Sequence, residues 1–351
     1  MDDVVVIGAG VIGLTTGVCL AEAGLRVRIR TSAPPAATTS AAAGALIGPA
    51  FIEPADRVAA WNAATIAAFS ALAADPATGV HVITGTMVSR SGAPPAPPST
   101  APPAAPPADP AAPALPPQVT SLPGFRLCAP GELPAGFLLG FQTTLPVVDM
   151  PAYLDYLAAR FVAAGGLLEA RPVASLAEAA AAAPVVVNCS GVAANDLAGD
   201  PGVRPVRGQH VIVENPGLDE FFVDGAIGPE FVAILPHAGH VVLGGVAEVD
   251  SWSLEPDPGT AERILERCAK VEPRLRGARI IGHRVGLRPE RLAGVRLDAE
   301  RLGTTLCVHC YGHGSVGISL SWACAREIAE LVAHRRAPSG LRSEATREDV
   351  A

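Results

Sequence analysis

Lysine is almost missing from this 351-residue chain: of its 26 basic side chains, only Lys270 is a lysine. No Gly-Lys-Ser/Thr triplet occurs, which excludes the phosphate loop whose lysine reaches the nucleotide. A pyridoxal-phosphate enzyme needs a Schiff-base lysine, and Lys270 falls in 261–272, which reads as an ordinary amphipathic helix. Surplus positive charge is lacking too. At a net −8 and a pI near 5.5 the chain has no basic excess to neutralise phosphates, so no nucleic-acid partner is expected. No apolar run reaches ~18 residues, and acidic Met1-Asp2-Asp3 leads straight into a strand, so neither a membrane span nor an export signal is expected. The seven cysteines are odd in number and irregularly spaced, which argues against a disulfide framework and for a cytoplasmic location.

What is present is a globular composition, 49% hydrophobic and 17% charged, with room for one large domain or two ordinary ones. Val4–Ile7 reads as a buried strand, Leu14–Ala23 as a helix closed by Gly24, and Leu25–Arg30 as a second strand. Between strand and helix stands Gly8-Ala9-Gly10-Val11-Ile12-Gly13. The first glycine permits the tight turn, the second lets backbone approach a pyrophosphate, and the third lets helix and strand pack closely. The helix N-terminus adds free amides and partial positive charge, and dinucleotide binding is the expectation. The acidic residue that would grip the ribose after the second strand is not there; the sequence reads Arg30-Thr31-Ser32. An arginine with two hydroxyls suits a 2′-phosphate and hence NADP, Thr31 could bond the ribose, and Arg30 could face solvent; the residues leave all three open.

Further along, twelve of the 34 prolines fall between Pro94 and Pro117, a Pro/Ala tract expected to be an extended surface insertion. A helix is expected over Asp149–Gly166, a buried parallel strand at Val185–Asn188, and alternating strands at His210–Glu214, Phe231–Leu235 and Val241–Gly245. The helix carrying Lys270 follows, then a strand at Thr305–His309 and a final helix ending near Ala333. Parallel-type elements at both ends with antiparallel ones between predict an α/β fold: a discontinuous doubly wound domain with an inserted α+β domain built on an antiparallel sheet. The division expected is 1–50, 58–75, 145–205 and 285–351 for the dinucleotide-binding domain, and 51–57, 76–144 and 206–284 for the substrate domain.

Five stretches make the chain resemble the D-amino-acid oxidase family of FAD enzymes, which includes glycine oxidase. They are Val5–Gly13, Thr38–Gly44, Val187–Gly191, Arg207–Gln209, and His283–Arg291 with Tyr311–Trp322. The resemblance implies FAD rather than NADP. It assigns to the cofactor the Gly8–Gly13 loop, Arg30, Thr31, Ser32, Thr38, Thr39, Ala43, Gly44, Val173 at the adenine, Ser190, Gly191, and Gly314, Ser315, Val316, Gly317, Ile318 and Ser319 at the start of the last helix. It makes Arg288 the clamp for a substrate carboxylate, for which a planar guanidinium fork is the right group. The backbone carbonyl of Ser315, where the family has glycine, would orient the amine. Leu46, Glu230, Phe231 and Ala233 would line the pocket. The activity implied is oxidation of D-amino acids or related amino-carboxylates with O2 as acceptor; a biosynthetic imine or secondary amine, and a non-catalytic flavin or NADP binder, are the alternatives. A homodimer and a cytoplasmic location are compatible with it.

One departure stands out. Alignment on Ile234-Leu235-Pro236 puts Ala233 where the family's main pocket tyrosine would stand and Pro229 near the second. The three tyrosines of the chain are Tyr153, Tyr156 and Tyr311, none of them in that region. Other groups read as structure. Cys307-Val308-His309-Cys310 with His313 looks like a metal cluster, but 307 and 310 point to opposite faces of a strand, and core packing is expected. His237 and His240 flank a turn and are expected to face solvent, and Trp61 is expected in the core.

Overall fold

The computed structural model describes residues 2–90, 115–225 and 228–336. Most of the Pro/Ala tract, residues 93–114, lies outside them. Its last residue, Pro117, opens a one-turn helix at the first position, where a missing amide costs nothing.

Two sheets carry the fold. The first joins β1 (Val4–Ile7), β2 (Val27–Arg30), β6 (Leu167–Glu169), β7 (Val185–Asn188), β14 (Arg296–Leu302) and β15 (Thr305–Tyr311). Its order is β14-β15-β7-β1-β2-β6, parallel except for β14. β1 and β7 are buried along their whole length, which is why both read as unbroken valine-rich runs. The second sheet has nine strands among the described residues: β3 (Val80–Ser89), β4 (Arg126–Leu127), β5 (Leu139–Val148), β8 (Val203–Glu214), β9 (Phe221–Asp224), β10 (Glu230–Pro236), β11 (His240–Val246), β12 (Glu248–Val249) and β13 (Ile280–Arg291). All of its pairings are antiparallel except β3 with β9. The α/β architecture expected from the sequence, with an antiparallel sheet between parallel elements, is the one observed. β13 runs through the expected 284/285 boundary as one strand, so Arg288 lies on the second sheet.

The helices are α1 (Val11–Glu22), α2 (Ala55–Leu72), α3 (Pro117–Thr120), α4 (Met150–Ala163), α5 (Leu176–Ala180), α6 (Ala194–Leu197), α7 (Pro258–Val271) and α8 (Gly317–Arg336). Among the described residues none is long and apolar enough to cross a membrane. Local chemistry sets their ends. Asp257 caps α7, accepting from the Thr260 amide at 2.6 Å, and Pro258 occupies the first turn. Ala261, Ile264 and Cys268 then recur on one face and bury against Val211, Val213, Val232, Ile234, Val241 and Leu243. That covers one side of β8, β10 and β11. Residues in the alternate register, His210, Ala233 and Gly244 among them, face the other side, toward the loops of the first sheet. Trp61 is in the core, as expected, its indole N–H donating to Glu327 at 2.7 Å.

Candidate active site

The glycine-rich loop is built by close approach. Gly8 has φ +102, open to glycine but not to other residues, and a Cβ on it would stand 2.5 Å from the Cys189 carbonyl oxygen. α1 begins at Gly10 with no side chain capping it, and the Val11 amide donates to Ser40 Oγ at 2.9 Å. Ser190 follows β7, and its buried hydroxyl has no partner. A helix start whose cap position is a glycine, beside an orphaned hydroxyl at the ends of parallel strands, is the donor set a pyrophosphate takes up. The residues therefore fit a dinucleotide.

The residues after β2 are already occupied. Arg30 is buried, and its Nε meets Glu169 at 3.3 Å. Thr31 Oγ1 donates to the Ala33 carbonyl at 2.7 Å. The 2′-phosphate reading of Arg30-Thr31-Ser32 loses its free cation, and the solvent-facing reading of Arg30 is overturned as well. The acid near this strand end is Glu169, which comes from β6 and is invisible to a search along β2 itself. Thr38 Oγ1 donates to Pro35, and Thr39 Oγ1 to the Leu287 carbonyl at 3.1 Å, so Thr39 ties the loop to β13. Val173 packs, partly buried, against the core cluster that contains Val5, Ile7, Val186 and Cys307. Gly314 (φ +54) turns the chain into exposed Ser315 and partly exposed Val316, and α8 starts at Gly317 with Ile318 and Ser319 buried.

On the second sheet, β8 and β13 pair so that Gly286 stands opposite Gly208 and Arg284 opposite His210. The Arg288 guanidinium lies over Gly208, where a Cβ would come within 2.4 Å of it. Its Nη1 donates to the carbonyls of Val246 (2.9 Å) and Arg207 (3.4 Å). Among the described residues no carboxylate stands within ion-pair distance of it. Desolvation without a counterion pulls its pKa down to about 10. Nη1 makes both protein bonds, which leaves Nε and Nη2, one side of the fork, for a planar anion.

His210, two residues along β8, is a neighbour the motif reading missed; strand alternation from Gly208 is the signal that finds it. Its Nδ1 lies 2.8 Å from the Ala42 carbonyl, so Nδ1 donates and Nε2 keeps its lone pair. Burial, with the Arg288 charge second, holds its pKa near 4. A Cβ on Gly44 would sit 3.5 Å from His210 Nε2 and 2.8 Å from Leu235. Ala45, next in the chain, holds a strained φ of +56. Ala233 pairs with Gly244 and is buried, and Leu46 bridges to Val147. Arg288, His210, the Gly44 turn and Ala233 are thus brought together on one side of the second sheet.

Other expectations are corrected. Glu230, expected at the pocket, turns away: a register shift separates it from Ala233, and its carboxylate pairs with Arg263 (3.2 Å) and Arg267 (3.0 Å) of α7. Phe231 lays its ring over Gly245, 2.8 Å from a Cβ placed there. Arg207 is buried and structural, binding Gln209, Glu248 and the carbonyls of Ser253 and Glu255. His237 is buried rather than solvent-facing, its ring against those of His81 and His240, with neither nitrogen bonded. The tyrosines are indeed elsewhere: Tyr153 accepts from Trp322, and Tyr311 donates to Asp200.

The buried histidines give a pH prediction. Burial holds His237 near 3 and His210 near 4, so both are neutral in the fold, while unfolded histidine titrates near 6.5. Folded pKa values below the unfolded one mean that acid unfolding takes up protons. This stabilisation is complete above about pH 6.5 and is lost as pH falls toward 4, by up to about 1.4 kcal/mol per pH unit for each histidine. The melting temperature should fall from pH 7 to pH 5, and less steeply in His237→Phe. Equal slopes in the two proteins would refute the assignment to His237.

With this geometry in view, the comparisons are specific. Residues 3–331 match the model of the FAD dependent oxidoreductase family. The chain is 48% identical over 328 residues to D-amino-acid oxidase of Rubrobacter xylanophilus, covering 93% of this chain and 94% of the relative. It is 44% identical over 333 residues to D-amino-acid oxidase of Streptomyces coelicolor, with 94% and 96% covered. Among solved structures, glycine oxidase from Geobacillus kaustophilus superposes with a TM-score of 0.73 over 95% of both chains, at 19% identity, a likeness of fold.

Proposed function

The chain belongs to the FAD-dependent oxidoreductase family, and from that premise we propose that it oxidises D-amino acids in the recess of Arg288, His210 and Ala233. The observation that carries this reading is the desolvated guanidinium of Arg288, which has carbonyl partners but no counterion. A protein that only bound a nucleotide would have no use for such a cation in a second sheet. The Gly8–Gly13 loop with Ser40, Ser190, Thr39, Ala43 and Gly44 would hold the cofactor, and the Gly314–Ser319 turn is assigned to its other end. When bound, FAD supplies the acceptor for a hydride leaving the amine-bearing carbon, with O2 as the final oxidant and H2O2 and the oxo acid plus ammonia as products.

The chain's own groups do the rest. Arg288 receives the substrate carboxylate on Nε and Nη2, and the Val246 and Arg207 carbonyls keep the fork from rotating. The backbone carbonyl of Ser315, in the exposed turn before α8, would accept from the amine. No tyrosine hydroxyl roofs the carboxylate, because Ala233 stands where the family's tyrosine would, so orientation would depend on Arg288 more heavily and the pocket would admit bulk near Cα. His210, neutral and with its lone pair outward, adds no second cation to compete for the carboxylate.

Anaerobic addition of D-amino acids to the purified holoenzyme should bleach the flavin bands within the mixing time of a stopped-flow or slower, while the L-enantiomers leave them unchanged. Flavin that stays oxidised with every D-amino acid, but is reduced by an N-substituted amino acid or cyclic imine, would move the assignment to the secondary-amine reading that Ala233 also accommodates.

A further inference from the structure

We propose that Cys310, His313 and Cys324, with Cys189 alongside, form a buried site for a thiophilic metal ion, Zn2+ by preference, apart from the substrate recess. The three ligand atoms of Cys310, His313 and Cys324 lie within 4.8 Å of one another, and all three residues are buried. His313 Nε2 is 3.8 Å from Cys310 Sγ. A tetrahedral zinc with bonds of about 2.3 Å to sulfur and about 2.0 Å to nitrogen places sulfur and nitrogen ligands about 3.5 Å apart and two sulfurs about 3.8 Å apart. The side chains need to close by only a few tenths of an ångström to over an ångström. Cys189 is buried beside Cys310, which brings a third sulfur to the cluster.

The ligand set comes from three elements the fold already joins. Cys310 stands near the end of β15, His313 in the turn after it, Cys324 within α8, and Cys189 just past β7. Cys310 and His313 are separated by two residues, a spacing that lets one turn present two ligands. The other members of the Cys307–Cys310 run do not take part. Cys307 packs with Val5, Ile7 and Val186 on the opposite face, and His309 is held by Glu300 at 2.8 Å and Asn188 at 3.2 Å. An all-protein, water-excluded ligand set marks a structural site rather than a catalytic one. Its place explains the use: the Cys189 carbonyl and Cβ lie against Gly8 and Gly13, so the ion would brace the glycine-rich loop from behind.

The test is metal analysis of holoenzyme purified without chelator and without a histidine tag. About one zinc per chain is expected, together with a Co2+-exchanged form showing d–d bands in the red, beyond the flavin absorption. Cys310→Ala and Cys324→Ala should lose the metal and the Co2+ spectrum, with flavin content and circular dichroism confirming the fold. Three results would each overturn the proposal: wild-type holoenzyme below about a tenth of a metal per chain that develops no Co2+ bands with excess ion, a native Cys310–Cys324 disulfide found by mass spectrometry, or undiminished metal in the folded cysteine variants. Because the wild-type measurement decides alone, a variant that fails to fold leaves the test intact.

Discussion

Arg288→Leu should lower kcat/KM for a D-amino acid by between ~30-fold and several thousand-fold, while the folded protein keeps its flavin and melts no lower than the parent. The first half follows from removing one partner of a desolvated, bidentate ion pair, which costs about 2–5 kcal/mol. The loss should sit near the upper end because no tyrosine hydroxyl shares the carboxylate in this pocket. The second half follows from the free enzyme. There the guanidinium is desolvated, and among the described residues it has no counterion and bonds two carbonyls, at 2.9 and 3.4 Å. An apolar side chain in its place removes a buried charge, the recognised bargain in which a functional site gives up stability. Arg288→Lys keeps the charge and loses the fork, so it should fall between the two, with KM rising more than kcat falls. Steady-state kinetics beside a melting curve decide the matter. Activity within threefold of wild type in the leucine variant would mean that the substrate carboxylate binds elsewhere.

That prediction rests on a residue legible in the sequence, and the pattern of what was and was not legible has physical causes. The β1–α1–β2 unit was readable because every part of it is local: a buried strand, three glycines at fixed offsets, and a helix ending at Gly24 in the left-handed region. Arg288 was readable only through a motif. Nothing in Gly286-Leu287-Arg288-Pro289 announces that Gly208, 80 residues earlier, clears the space for its guanidinium. His210 lies two residues from that glycine on the same face of β8, but the Arg207–Gln209 motif ends just short of it, and only period-two alternation along the strand reaches it. Arg30 keeps three open fates in the sequence since its partner, Glu169, meets it only through the β2–β6 pairing. Glu230 misled for a related reason. Alternation from Ala233 puts 230 on the face of Val232 and Ile234, toward α7, and the arginines of α7 capture its carboxylate. His237 was misread because turns usually face water, whereas this one is roofed by the His81 ring. For Arg288, Arg30, Glu230 and His237 alike, the deciding neighbour comes from another element of the fold.

The largest effect on the fold itself is expected from Gly13→Ala. A Cβ there would lie 1.9 Å from the Gly8 carbonyl oxygen and 2.9 Å from its carbon. Both are backbone atoms, and neither is free to give. The Gly8 amide donates to the Arg30 carbonyl at 2.8 Å, and on its other side Gly8 faces the Cys189 carbonyl too closely to move that way. The methyl group can therefore be accommodated only by lifting α1 off β1. Such a shift carries Leu14 and Val18, both wholly buried, out of their contacts, at a cost beyond the ~1–3 kcal/mol of ordinary overpacking. The expected outcome is protein that is insoluble or, if recovered, free of flavin. Two neighbours supply the scale. At Gly10 the nearest obstacle is Ser40 Oγ at 3.1 Å, a side chain that can rotate, so Gly10→Ala should keep the fold and bind flavin more weakly. At Gly24 nothing lies within 4 Å and the only objection is a φ of +83, so Gly24→Ala should cost about 1 kcal/mol and retain the cofactor in full. The ratio of flavin to protein absorbance across the three variants tests the order. A Gly13→Ala protein with full flavin would show that α1 and β1 are not held together as tightly as the glycine spacing requires.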